Sequence, residues 1–137
     1  MPYLQLDVSD HFSVEVKRRL ARQLGEIYAR IMQTRPNIVT VAFRELGEGG
    51  VWLCSDGEPK PAALLTCDIR QGRPPEQRAE VAHALVGACV EALGLRSEQI
   101  GVEFTQHAGD EFFRVGRGLG SDWTPAEAQT ASQPARA

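Results

Sequence analysis

ALLTCDIRQGRPPEQRAEVAHALVGACVEALG, residues 63–94, is the stretch on which the fold turns. Ala63–Ile69 is an apolar run of strand length, and Pro74 suits the first turn of a helix. From there to Leu93, Val81, Leu85, Ala88 and Ala92 recur at helical spacing, and Gly94 supplies a stop. Moving 61 positions toward the start meets the same pattern with no gap. Leu4, Leu6 and Val8 alternate with Tyr3, Gln5 and Asp7 along a strand from Pro2 to Val8. A helix from Ser13 to Met32 follows, with Ser13 as a suitable N-cap and Val16, Leu20, Leu24, Ile27 and Ile31 on one face. Each helix leads to a further strand, Ile38–Phe43 in the first half and Ile100–Thr105 in the second. Asp7 falls on Asp68, Glu15 on Glu76, Leu24 on Leu85, Arg35 on Arg96 and Phe43 on Phe104. A duplicated β-α-β unit accounts for this gapless match of pattern.

Right-handed crossovers make the two strands of each unit parallel. Two tandem units predict an α+β fold, a four-stranded mixed sheet with two helices on one face. The units span 2–53 and 61–117 of a single domain, 1–120, with Cys54–Lys60 as the linker. Beyond Gly118 the chain turns rich in Ala, Gln, Ser, Thr and Pro, so 121–137 reads as a mobile tail. The sheet face away from the helices is not uniformly polar, which predicts its burial in a closed cyclic oligomer.

Composition narrows the function. The formal net charge is −3, and no basic run or basic-aromatic interleaving predicts a nucleic-acid surface. No apolar run has membrane length, and Asp7 and Asp10 interrupt any leader, so a cytoplasmic protein with no membrane partner is expected. Cys54, Cys67 and Cys89 lack CxxC spacing and read as reduced thiols. His11, His83 and His107 are scattered without metal-ligand spacing, so neither a metal nor a cofactor is expected.

Chemistry is expected where the halves differ. Pro2 overlies Ala63, whereas Arg70 and Arg73 overlie Ser9 and Phe12. Pro2 has a bland reading, since proline is tolerated at the first residue of a strand. The sharper one is that a small second residue favours removal of Met1, which frees a secondary amine. An α-amine titrates near roughly 7.7–8, and nearby positive charge lowers that value. If the two units run antiparallel, the start of the first strand meets the end of the third. A basic amine and two guanidiniums then converge, able to move a proton while gripping a carboxylate. Solvated loop charge is the competing reading for the arginines.

An amino-terminal proline, a β-α-β repeat and RxGR before an EQ-containing helix start together resemble the tautomerase superfamily. DIRQGRPPEQRAEVAHALVGACVEALG is similar to the corresponding part of 4-oxalocrotonate tautomerase. The two-unit length and the RxGR spacing are closer to the cis-3-chloroacrylic acid dehalogenase group. The resemblance covers about Pro2 to Gly118 and implies a tautomerase-like, macrophage-migration-inhibitory-factor-like fold assembled as a homotrimer. It makes Pro2 the catalyst and gives Arg70 and Arg73 the binding of a substrate carboxylate. Tyr28 sits where the dehalogenases place a substrate-binding histidine, although it also lies on an apolar helix face suited to core packing. Glu103 replaces a tyrosine, and Arg114 replaces the glutamate that helps activate water, which weighs against dehalogenation. Phe112 keeps an apolar wall.

The expected activity is therefore cofactor-free keto-enol isomerisation of a small 2-oxo or 2-hydroxyalkenoate, with Pro2 as general base. The alternatives are a dehalogenase, hydratase or decarboxylase with Pro2 as general acid, and a non-catalytic trimer.

Overall fold

The computed structural model describes residues 2–131. In β1 (Tyr3–Val8) every second side chain, Leu4, Leu6 and Val8, is buried. In β5 (Ala63–Arg70) the same alternation buries Ala63, Leu65, Cys67 and Ile69. A period of two on a sheet covered on one side produces this pattern, and each buried Leu contributes roughly 2 kcal/mol. β2 (Thr40–Glu45) pairs parallel with β1, and β6 (Ile100–His107) pairs parallel with β5. β1 and β5 pair antiparallel at the centre, so the strand order is β2-β1-β5-β6.

Two helices cover one face. α1 (Val14–Met32) starts at Ser13, whose hydroxyl accepts from the Val16 N–H at 3.2 Å. Leu20, Leu24, Tyr28, Ile31 and Met32 turn inward. α2 (Pro75–Leu93) has Pro74 at its N-cap and Pro75 at the first helical position, where a missing N–H costs nothing. Val81, Leu85, Ala88 and Cys89 are buried, and Ala92, expected inside, is exposed.

The duplication is visible in the backbone. Both ends of α1 and α2 differ by 61 positions. So do the short 3-10 turns Pro36–Ile38 and Ser97–Gln99, the first of which delays the start of β2 to Thr40. Gly94 closes α2 in the left-handed conformation at φ 69°, and Gln33 closes α1 in the same conformation at φ 56°. A side chain is disfavoured there, so Gln33 keeps a conformation that glycine adopts freely.

The remaining elements are small. The expected linker lies inside a hairpin of β3 (Trp52–Leu53) and β4 (Lys60–Pro61). A second hairpin joins β7 (Phe113–Arg114) to β8 (Gly118–Leu119). The expected tail differs from the structure over residues 121–131. Trp123 is buried, and α3 (Glu127–Ala131) lies beyond it. Composition misleads here because one indole supplies enough apolar area to anchor a polar segment. The rest of that expected tail, 132–137, lies outside the described residues, as does Met1. No helix among the described residues is long and apolar enough to cross a membrane.

Candidate active site

The site is built at the end of the sheet where β1 begins and β5 ends. Tyr3 pairs with Asp68, so one further step of the register sets Pro2 opposite Ile69, beside Arg70. Pro2 is buried, and its carbonyl accepts from the Thr40 N–H at 3.1 Å.

Arg70 projects from the last position of β5 and is occupied. Its Nη1 and Nη2 donate to the two carboxylate oxygens of Glu127 at 2.9 and 2.6 Å. Nη1 also donates to the Ser121 carbonyl at 3.0 Å. The Thr34 hydroxyl donates to the same carboxylate at 2.7 Å. Burial disfavours ionised Glu127, but these hydrogen bonds and the Arg70 and Arg73 charges outweigh it, holding its pKa below the usual carboxylate range.

Arg73 is only 4% exposed. Its Nε donates to the Met32 carbonyl at 2.9 Å, at the negative end of α1. Its guanidinium lies 4.9 Å from the Trp123 ring and 5.7 Å from that of Tyr28. Both terminal nitrogens, and the buried Tyr28 hydroxyl, have no hydrogen-bond partner among the described residues. Burial lowers the Arg73 pKa and raises that of Tyr28 to about 12. A buried cation holding one hydrogen bond and two unpartnered nitrogens is a costly arrangement, and an anion would relieve it.

Residues 121–131 seal this region. The last carbonyls of α1 and its cap need donors. Ile31 receives one from Gln77 at 3.0 Å, Met32 from Arg73, and Gln33 from the Trp123 indole at 3.1 Å. The Trp123 N–H donates to the Gln71 carbonyl at 3.1 Å. The approach is close enough to require glycine. A Cβ on Gly72 would sit 2.2 Å from the Trp123 oxygen, and one on Gly109 would sit 1.9 Å from the Ser121 carbonyl carbon.

Beside Arg70 opens a cleft of about 240 Å³, lined by Thr34, Phe112, Arg114, Arg117 and Glu127 among others. The Arg114 guanidinium lies 5.6 Å from the Phe112 ring. Of the residues predicted from sequence, Arg70, Phe112 and Arg114 share this cleft. Arg73 and Tyr28 meet behind Trp123. Glu103 does not join them: it is exposed on β6 opposite Thr66, on the face away from the helices. Sequence reasoning missed Trp123, Glu127 and Thr34. The signal for Glu127 was TPAE, a helix-start pattern, and the Glu127 N–H does donate to the Thr124 carbonyl at 3.0 Å.

No family model and no curated protein matches the sequence. Solved structures do match the fold. A member of the cis-3-chloroacrylic acid dehalogenase family, N1, superposes with a TM-score of 0.77 at 20% identity over 96% of this chain and 92% of that one. Pt0534 inactivated by 2-oxo-3-pentynoate gives 0.73 at 21% identity over 87% and 96%. A fused 4-OT symmetric trimer, Q0, gives 0.73 at 20% identity over 96% and 99%. These likenesses identify the fold as that of the tautomerase superfamily, with its four-stranded mixed sheet and two helices.

Proposed function

We propose that the protein is a cofactor-free tautomerase acting on a small 2-oxo or 2-hydroxyalkenoate. One observation carries the reading. The antiparallel β1–β5 register sets buried Pro2 beside the end of β5, from which Arg70 and Arg73 follow. With Met1 removed, the Pro2 nitrogen is a secondary amine at the sheet end from which Arg70 and Arg73 project, where positive charge disfavours its protonated form. As a neutral base it takes a proton from the enol oxygen or an adjacent carbon and returns it further along the conjugated chain. The arginines hold the carboxylate and stabilise the enolate as charge develops. Phe112 supplies an apolar wall, and Tyr28 positions Arg73 through its ring. The 2-oxo acid that inactivates Pt0534 supports this substrate class.

A homotrimer is part of the proposal. The sheet face bearing Tyr3, Gln5, Thr66 and Glu103 has no covering layer among the described residues, and the fused 4-OT structure is a symmetric trimer. Burial of that face also gives Glu103 a place at a subunit boundary.

Ketonisation of 2-hydroxymuconate and enol-phenylpyruvate, followed by ultraviolet absorbance, tests the reading. Pro2→Ala is expected to lose on the order of 10²–10⁴ in rate. Full activity in that variant, or an intact mass that retains Met1, overturns it.

A second reading makes Pro2 a general acid in hydration, dehalogenation or decarboxylation, and the likeness to N1 favours it. Against it, the cleft presents Arg114 and, among the described residues, no carboxylate but Glu127, which Arg70 holds. NMR titration of the Pro2 nitrogen separates the two: a pKa at or below neutrality marks the base, and a clearly higher one the acid.

A further inference from the structure

Glu127 is the sole acidic residue among those described around a cleft that also contains Arg70, Arg114 and Arg117. Its carboxylate meets Arg70 through two parallel hydrogen bonds, the geometry by which a guanidinium takes a free carboxylate. The same segment covers the second arginine by different chemistry. Trp123 lays its ring over Arg73, whose two terminal nitrogens have no acceptor among the described residues. We propose that residues 121–131 form an internal substitute for substrate, with Glu127 in the place of the substrate carboxylate and Trp123 as the plug over Arg73.

This rests on the reading of Arg70 and Arg73 as carboxylate-binding groups. A tethered carboxylate competes at an effective concentration set by its tether, so it weakens every free carboxylate that must displace it. The contact is also exchangeable. The Glu127 side chain keeps 28% of its exposure against 11% for Arg70, so a free carboxylate reaches the pair from the Glu127 side and can offer Arg70 the same two hydrogen bonds. When a ligand carboxylate takes Arg70, the segment loses its anchor at Glu127 and the indole lifts. The two terminal nitrogens of Arg73 then become available to the same ligand. Their lack of partners in the closed form is thereby explained: the closed form shields Arg73 without satisfying it.

The test reads binding rather than turnover. Trp52 and Trp123 are the two tryptophans, so a Trp52→Phe background makes emission report Trp123. Propionate is titrated at constant ionic strength, its heat of binding giving the affinity in each variant and the emission following the indole in the parent background. Glu127→Gln is expected to tighten propionate on the order of tenfold, because the competitor loses its charge. Thr34→Ala, which removes one hydrogen bond to Glu127 and leaves its charge, is expected to tighten it less. Propionate is also expected to speed deuterium exchange at the Trp123 amide in the parent protein. Unchanged or weaker propionate affinity in Glu127→Gln, or an unaltered Trp123 amide at saturation, overturns the proposal. Loss of the tautomerase reading through Pro2→Ala leaves these measurements standing, since none requires catalysis.

Discussion

At one end of the sheet Pro2 leads into β1 beside Arg70, at the close of β5. At the other end Ala63 begins β5, and Ser9 follows the close of β1. The duplication relates the two ends, and each carries a cleft. Thr34, Ile38 and Arg70 border the first, and their repeat partners Leu95, Gln99 and Ser9 border the second, of about 630 Å³. The chemistry differs in sign. Arginines surround the first, whereas Asp10 and Glu48 are the charged residues around the second. Beneath them, Arg73 corresponds to Phe12 and Tyr28 to Cys89. Phe12 packs partly buried against the core, so the scaffold closes well with an apolar residue at that place. The repeated scaffold therefore does not itself demand a desolvated cation at the place Arg73 takes.

That contrast yields the largest expected effect. Arg73→Met is expected to lower kcat/KM about 10²–10³-fold, the usual loss for one group that stabilises developing negative charge. Its Tm is expected to hold or rise, because an apolar chain replaces a buried cation with two unsatisfied donors. Phe12→Ala is expected to do the reverse, leaving turnover alone and costing roughly 1–2 kcal/mol, less than a fully buried Phe. Steady-state kinetics beside thermal melts decide it. A large Tm loss in Arg73→Met would make the two ends structurally equivalent.

Gly72 sharpens the comparison at the next level. It holds φ 128° and lies against the Trp123 backbone. Gly72→Ala is expected to push the 121–131 segment off, costing about 1–3 kcal/mol and shifting Trp123 emission toward that of an exposed indole. A Gly57→Ala change, with nothing within 4 Å of the added methyl, is expected to do neither.

The doubled architecture was legible in the sequence because alternation and helical spacing repeat without a gap. Ser13, Gly94 and the paired apolar positions signal their elements locally. Arg70 and Arg73 stood out because their repeat partners are uncharged. What failed to show was tertiary. The polar composition of 121–131 concealed one indole that finds a place between α1 and the Gly72 turn. Glu103 carries no local sign of which sheet face it takes relative to the cleft, since register alone sets that. Likewise, nothing in RQGR distinguishes an arginine paired with a carboxylate from one left with free donors.

The smallest effect expected is a pH dependence that separates the ends. Both carry carboxylates held below their ordinary range. At the site end Glu127 is held by Arg70 and Thr34 despite its burial, and Asp122 chiefly by the Gly109 N–H and then Gln71. At the far end Glu45 is held by Lys17 first and by the Phe12 N–H second. A depressed folded pKa means that the contact is fully present above the unfolded value and is lost as pH falls through the folded one. The ordinary value for Glu is 4.5, so the anchor at Glu127 persists at neutral pH and is released below that value. Trp123 emission, followed in the Trp52→Phe background from about pH 6 down to about pH 3, is expected to shift toward an exposed indole over that range. Glu127→Gln is expected to begin shifted at neutral pH and to flatten the curve. Glu45→Gln is expected to leave it unchanged, because its partners lie at the opposite end. A curve altered equally by both substitutions would mean that acid acts on the core as a whole, and the two ends would then not be independent.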